Sequence, residues 1–102
     1  MAILHTVSKS PFEKSSLDTC LRIAVEGSSV LLIEDGVYAA MNGTSVNGKL
    51  GDAGNRIRFF VLGPDLKARG LSEDKVLKGI EVVDYDGFVD LVVGHDAIHA
   101  CL

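Results

Sequence analysis

The sequence contains no apolar run of the roughly 20 residues needed to cross a bilayer, so we expect no membrane span. Its first residues also lack the basic leader and the apolar stretch of a signal peptide, and we therefore expect a cytoplasmic protein. Lys and Arg account for only 10 of the 102 residues, they are scattered, and the net charge is -4. Proteins that bind nucleic acid unaided usually carry a basic patch, so we expect no direct nucleic-acid binding.

Several common site motifs are also missing from the sequence. No Gly-x-Gly-x-x-Gly follows a predicted strand, the glycine-rich segment 42–55 lacks the Lys-Ser/Thr ending of a phosphate loop, and there is no Gly-x-Ser-x-Gly. We therefore expect no cofactor. The two cysteines, Cys20 and Cys101, lie far apart and form no Cys-x-x-Cys, so each is predicted to be a free thiol in a reducing compartment.

What the sequence does contain is apolar residues, which make up 47% of the chain. A chain of 102 residues has room for one core, and we expect a single domain over residues 1–102. Apolar residues beyond the needs of that core usually mark interfaces. The segments 37–41 and 85–93 are predicted helices with apolar surface of this kind, so we expect an obligate subunit of a hetero-oligomer.

Short aliphatic segments predict strands, and helical patterns lie between them. The predicted strands cover residues 2–6, 30–33, 57–62 and 80–83, with a short fifth strand at 98–102. Helices are predicted from Ser15 or Ser16 to Gly27 and over 37–41, 65–69, 71–78 and 85–93, with a further short helix at 48–53 inside a long loop. This alternation predicts an α/β fold: three α/β/α layers around an open, mainly parallel sheet of four to five strands.

Candidate site residues fall first at the carboxyl ends of the predicted strands, where open α/β sheets bind ligands. His5, Asp35 and Asp84 would share that rim, although capping of the following helices is the favoured interpretation of these side chains. His95, Asp96 and His99 have the side chains of metal ligands. Because Gly94 breaks the helix before them, we favour solvent-exposed loop residues and predict no metal site.

Cys20 is the candidate nucleophile. It shares a predicted helix face with Leu17, Leu21 and Ala24, which favours a small buried side chain. The alternative is a thiol whose pKa is lowered by the start of the helix, an effect that is weak five residues past a cap at Ser15. Cys101, in the predicted last strand, is expected to serve packing.

A series of segments along the chain resembles the DsrH/TusB family of sulfur relay proteins. No single motif is very specific, but the series runs in order through nearly the whole chain. The segments are 5–7 with 10–12, 31–37 with 39–40, 65–66 with 68–71, and 83–85 with 88–89 and 91–92. The resemblance implies a DsrE-like fold and a subunit of the DsrE/DsrF/DsrH or TusB/TusC/TusD type, two copies of three related subunits.

Such complexes pass persulfide sulfur to a DsrC/TusE-like carrier, either in intracellular sulfur oxidation or toward 2-thiouridine at the tRNA wobble position. The resemblance implies that the main catalytic cysteine lies on a partner subunit, with Cys20 as a candidate secondary persulfide carrier. Because TusB-like members can lack a cysteine in the first helix, Cys20 favours the DsrH branch and sulfur oxidation. The alternatives are a TusB-type subunit, a purely architectural subunit, an independent enzyme, and an interaction domain unrelated to sulfur.

Overall fold

A five-stranded sheet forms the centre of the computed structural model, which describes residues 2–101. Its strands are β1 (Ile3–Val7), β2 (Ser29–Leu32), β3 (Arg58–Leu62), β4 (Ile80–Val83) and β5 (Ala97–Cys101). They lie in the order β4-β3-β2-β1-β5, and each neighbouring pair is parallel. The predicted α/β fold with a parallel sheet is confirmed. The predicted fifth strand is present from Ala97, while its last predicted residue, Leu102, lies outside the described residues.

Within residues 2–101, four α-helices and two 3₁₀ helices connect the strands. The α-helices are α1 (Ser16–Ile23), α2 (Asn47–Ala53), α3 (Gly63–Ala68) and α4 (Tyr85–Gly94), and the 3₁₀ helices are Glu34–Ala40 and Glu73–Lys75. None of the helices between residues 2 and 101 is long and apolar enough to cross a membrane.

Three predicted helices differ from the structure. The first ends at Ile23 rather than near Gly27, because the backbone at Ala24 is already extended. The helix predicted at 37–41 is part of a 3₁₀ helix, and the one predicted at 71–78 is reduced to a three-residue 3₁₀ turn. The segment after that turn pairs instead with residues 40–42: Asn42 N–H donates to Lys75 O at 2.8 Å, and Leu77 N–H donates to Ala40 O at 2.7 Å.

The two faces of the sheet are covered unequally. On the first face, α1, α2, α3 and the longer 3₁₀ helix pack over Val7, Val30, Leu32 and Val61 in the larger core. On the second face, Leu4, Leu31 and Phe60 form a small core with side chains of α4. The predicted three layers are therefore present, but one of the outer layers consists of a single helix.

Most of the segment 37–41 is buried in the core of the chain itself, contrary to the expectation of exposed apolar surface. Val37, Ala39 and Ala40 have no exposed surface, because the longer 3₁₀ helix is buried in the larger core. By contrast, α4 has no fully buried residue. Its apolar residues Tyr85, Val89 and Val93 are between 59% and 79% exposed, and we call this stripe the α4 outer face.

Candidate functional site

Residues from both ends of the chain meet on the first face of the sheet. The parallel register of β1 and β5 places His5 beside His99 and Val7 beside Cys101. Because side chains alternate between the faces of a strand, His5, His99 and Cys101 all lie on this face. Helix α1 covers it with Leu17 and Cys20, which brings Cys20 to the same place.

Cys20 and Cys101 form a disulfide, with their Cα atoms 5.9 Å apart and a sequence separation of 81. The prediction of two free thiols is therefore wrong. The sequence gives no sign of the pairing, since it depends on β5 adding to the sheet next to β1. Cys20 does lie on the buried face of α1, as its helical spacing favours, and it is 0% exposed.

Two imidazole rings lie beside the sulfur atoms. The Nδ1 atoms of His5 and His99 are 3.1 Å apart, and Cys101 Sγ lies 3.7 Å from Nδ1 of His99 and 3.9 Å from that of His5. The rings meet edge to face. One Nδ1 therefore carries the hydrogen and the other accepts it. We call the four residues His5, Cys20, His99 and Cys101 the Cys–His cluster.

Burial sets the chemistry of this cluster. His5 and Cys101 are 3% and 4% exposed, while His99 is the exposed member of the cluster. Burial, and secondarily the charge of His99, lowers the pKa of His5, so this imidazole is held neutral.

Within residues 2–101, the donor atoms of His5, Cys20 and Cys101 lie within 4.8 Å of one another, a spacing that could hold a metal ion.

The predicted rim of His5, Asp35 and Asp84 is not formed. His5 lies buried in the middle of β1. Asp35 accepts from Arg69 Nε at 3.0 Å instead of capping a helix. Asp84 caps α4 by accepting from Gly87 N–H at 2.8 Å, which confirms the capping interpretation for this residue. It lines a cleft of about 650 Å³ at the ends of β3 and β4.

The trio His95, Asp96 and His99 does not converge. His95 is half-buried rather than exposed, with Nδ1 2.6 Å from Leu91 O and Nε2 2.8 Å from Ser29 Oγ. Asp96 accepts from the backbone N–H of Ala2 at 2.9 Å. His99 belongs to a strand and not to a loop, and its neighbour is His5. His95 and Asp96 are neighbours of His99 in sequence only, while its neighbours in the fold are His5 and Cys101.

Comparisons with known proteins identify relatives along almost the whole chain. A family model described as "DsrH like protein" matches residues 9–98. Protein TusB of Pectobacterium parmentieri is 39% identical over 93 residues, which cover 91% of this chain and 94% of that protein. Protein TusB of Escherichia coli K12 is 38% identical, with the same coverage.

Solved structures with lower sequence identity share the fold. The ychN protein from E. coli superposes with a TM-score of 0.79 at 16% identity, covering 98% of this chain and 99% of that one. Protein MTH1491 from Methanobacterium thermoautotrophicum gives a TM-score of 0.72 at 19% identity, covering 96% of both chains. At such identities the likeness concerns the arrangement of strands and helices alone.

Proposed function

The chain belongs to the DsrH family, and on that premise we propose that it is the TusB-type subunit of a sulfur relay that 2-thiolates the wobble uridine of tRNA. The observation that carries this proposal is the likeness to proteins named TusB, at 38–39% identity over more than nine-tenths of each chain. These relatives favour the tRNA branch over the sulfur-oxidation branch, which was expected from Cys20.

In this proposal the chain works with DsrE-like and DsrF-like subunits, which are TusD and TusC in the tRNA branch, and a TusE-like carrier receives the sulfur. The supporting feature is the α4 outer face, where Tyr85, Val89 and Val93 follow one another at intervals of four residues. This spacing places them in one stripe along the helix. An exposed apolar stripe is typical of a surface that another subunit covers.

The main sulfur-accepting cysteine is proposed to lie on a partner subunit. Cys20 has no exposed surface, and its sulfur is bound to that of Cys101. A donor persulfide could reach it only after the disulfide is reduced and the cluster opens on the His99 side. Cys20 then remains a candidate secondary carrier, because its thiolate could attack the outer sulfur of a donor persulfide and release the donor as a thiol.

Deletion of the gene for this chain in its own organism tests the proposed function. We expect 2-thiouridine derivatives to disappear from digested tRNA, measured by liquid chromatography and mass spectrometry, and to return with the wild-type gene. Unchanged thiolation would contradict the tRNA role. If growth on reduced sulfur compounds were lost instead, the sulfur-oxidation branch would be favoured.

Cys20→Ser separates an architectural role from a chemical one. The variant is assembled with its partners and loaded with a sulfur donor. Loss of labelled sulfur from this chain, with the complex intact on gel filtration, would identify Cys20 as a carrier. Unchanged label and unchanged transfer to the carrier would leave the chain an architectural role. Cys101→Ser is the matched control, because it also breaks the disulfide but keeps Cys20.

A further inference from the structure

We propose that His5, Cys20, His99 and Cys101, once their disulfide is reduced, form a binding site for a tetrahedral divalent metal ion, with Zn²⁺ as the ion of best fit. The proposal does not depend on the sulfur relay, and its failure would leave that proposal unchanged. It rests on the convergence of His5, Cys20 and Cys101, whose donor atoms lie within 4.8 Å of one another. His99 is the fourth donor, with its Nδ1 atom 3.1 Å from that of His5 and 3.7 Å from Cys101 Sγ.

The donor set and its spacing suit zinc. Two thiolates and two imidazoles are a recurrent tetrahedral zinc ligand set. Tetrahedral bonds of ordinary zinc length place two nitrogens about 3.4 Å apart and a nitrogen and a sulfur about 3.6 Å apart. The two Nδ1 atoms here are 3.1 Å apart, and Cys101 Sγ lies 3.7 Å and 3.9 Å from them.

The framework already holds the donors in place. His5 and His99 are side by side in the register of β1 and β5, and Cys101 is two residues further along the same face. Cys20 projects from α1, which packs on the larger core. Metal binding to this reduced site would require adjustments of side chains and of the edge strand rather than refolding, because α1 packs on the larger core and β5 keeps its hydrogen bonds to β1.

Burial and charge favour a metal over bare thiolates. Cys20 and Cys101 are 0% and 4% exposed, so two thiolates there would be poorly solvated. A divalent cation balances their two negative charges. The fourth donor, His99, is the one exposed to solvent, and it would complete and close the coordination sphere, as in structural zinc sites.

The same two sulfur atoms make metal binding and the disulfide mutually exclusive. Reduction by a dithiol breaks the sulfur–sulfur bond, leaves two thiols, and converts the reductant to its own disulfide. Binding of Zn²⁺ then releases the two thiol protons. A disulfide oxidant, itself reduced to two thiols while the bond between Cys20 and Cys101 re-forms, would remove both sulfurs as ligands, leave only His5 and His99, and expel the ion. The cluster would therefore bind the metal only in its reduced state.

Cobalt titration of the full chain tests the site. The chain is reduced anaerobically with a phosphine that does not bind metals, titrated with Co²⁺, and then with Zn²⁺ as competitor. We expect one Co²⁺ per chain, with the visible bands of a tetrahedral ion and a thiolate charge-transfer band. Zn²⁺ should displace it. The oxidised chain retains both histidines and should show neither band.

Two ligand variants and one control decide between a built site and adventitious binding. Loss of a residue that only hydrogen-bonds to a metal ligand weakens metal binding by about 10- to 100-fold. Loss of a ligand itself, in His99→Gln or Cys101→Ser, should therefore weaken the binding by roughly 100-fold or more. His95→Gln, which removes the histidine outside the cluster, should bind as the wild type does. His99 is exposed, so its variant is expected to fold even if Cys101→Ser does not.

A reduced chain with a native circular dichroism spectrum that binds no Co²⁺ would overturn the proposal. Binding that is equally tight in His99→Gln and in the wild type would also overturn it, because the ion would then be held elsewhere.

Discussion

Gly36 illustrates at the residue scale how one missing side chain allows the fold to close. It lies in the longer 3₁₀ helix, where the backbone passes directly against the end of β1. A Cβ atom built on Gly36 would overlap the carbonyl oxygen of Val7. Since that carbonyl belongs to the central sheet and accepts from Ile33 N–H at 3.0 Å, it has little freedom to move.

We predict that Gly36→Ala destabilises the chain by about 3 kcal/mol, because the added methyl group forces the 3₁₀ helix away from β1. Urea unfolding followed by circular dichroism measures the change. Gly48→Ala is the control: a Cβ there meets open space within α2, and alanine should stabilise the helix by about 0.5–1 kcal/mol. Equal stability of both variants would show that the contact at Gly36 is not limiting.

His5 provides the pH dependence. Burial, and then the charge of His99, lowers its pKa from 6.5 in the folded chain. The unfolded chain therefore binds more protons just below pH 6.5, and the free energy of unfolding falls as the pH drops from 6.5 through the folded pKa. We predict that Tm, measured for the oxidised chain with a chelator, declines over this interval.

The decline should be smaller in His99→Gln, because this variant removes the repulsive charge, the second cause of the shift. The change in Tm of His5→Asn over the same interval is subtracted from that of the wild type. If the difference shows Tm rising on acidification below pH 6.5, the predicted direction of the pKa shift of His5 is wrong.

Among the secondary-structure elements, the strands and the short helices near 48–53 and 65–69 could be predicted from the sequence, whereas the α-helices expected at 37–41 and 71–78 are not formed. Aliphatic runs located the first four strands to within one residue at each end, since a strand buried on both faces needs such a run. The helix predicted at 71–78 is missing because residues 75–77 make hydrogen bonds with residues 40–42. Contacts between segments that lie far apart in sequence decided this element.

Contacts between distant segments also explain why the Cys–His cluster could not be predicted from the sequence. Helical spacing placed Cys20 on a buried face, but its three cluster partners are 15 to 81 residues away. They become neighbours only because β5 adds to the sheet next to β1. The sequence predicts a parallel sheet but not the order of its strands, so it does not show that β5 lies next to β1. The pairing of the two cysteines could therefore not be predicted.

Helix α4 carries the prediction on assembly. We predict that Val93→Asp leaves the isolated chain folded, because Val93 is 79% exposed, but abolishes its co-purification with partner subunits. A charge buried in an apolar interface loses its hydration and finds no partner. Ile23→Asp, on α1 and 51% exposed, is the matched control and should still co-purify. Normal assembly of Val93→Asp would place the interface elsewhere.

For the molecule as a whole, the disulfide ties the last described strand, β5, back to the first helix, α1. Cys20 follows the first strand, and Cys101 is the last residue of β5, so the bond closes a loop that contains most of the fold. It also fixes β5, an edge strand with four of its five residues exposed. Beyond its hydrogen bonds to β1, this strand therefore has little burial of its own to hold it in place.

We predict that reduction of the disulfide in the presence of a chelator lowers the free energy of unfolding by about 4 kcal/mol, as expected when a loop of this length is opened in the unfolded chain. Guanidinium unfolding of the oxidised and reduced chains measures the difference. Cys101→Ala should resemble the reduced wild type, and reductant should not change its stability further.

The loss of stability on reduction should affect β5 first, because the disulfide is the main link between β5 and α1. Hydrogen exchange of residues 97–101 should therefore accelerate on reduction more than that of β2 and β3. Equal stability of the oxidised and reduced chains would show that the burial of the cluster, and not the covalent bond, holds the ends of the chain together.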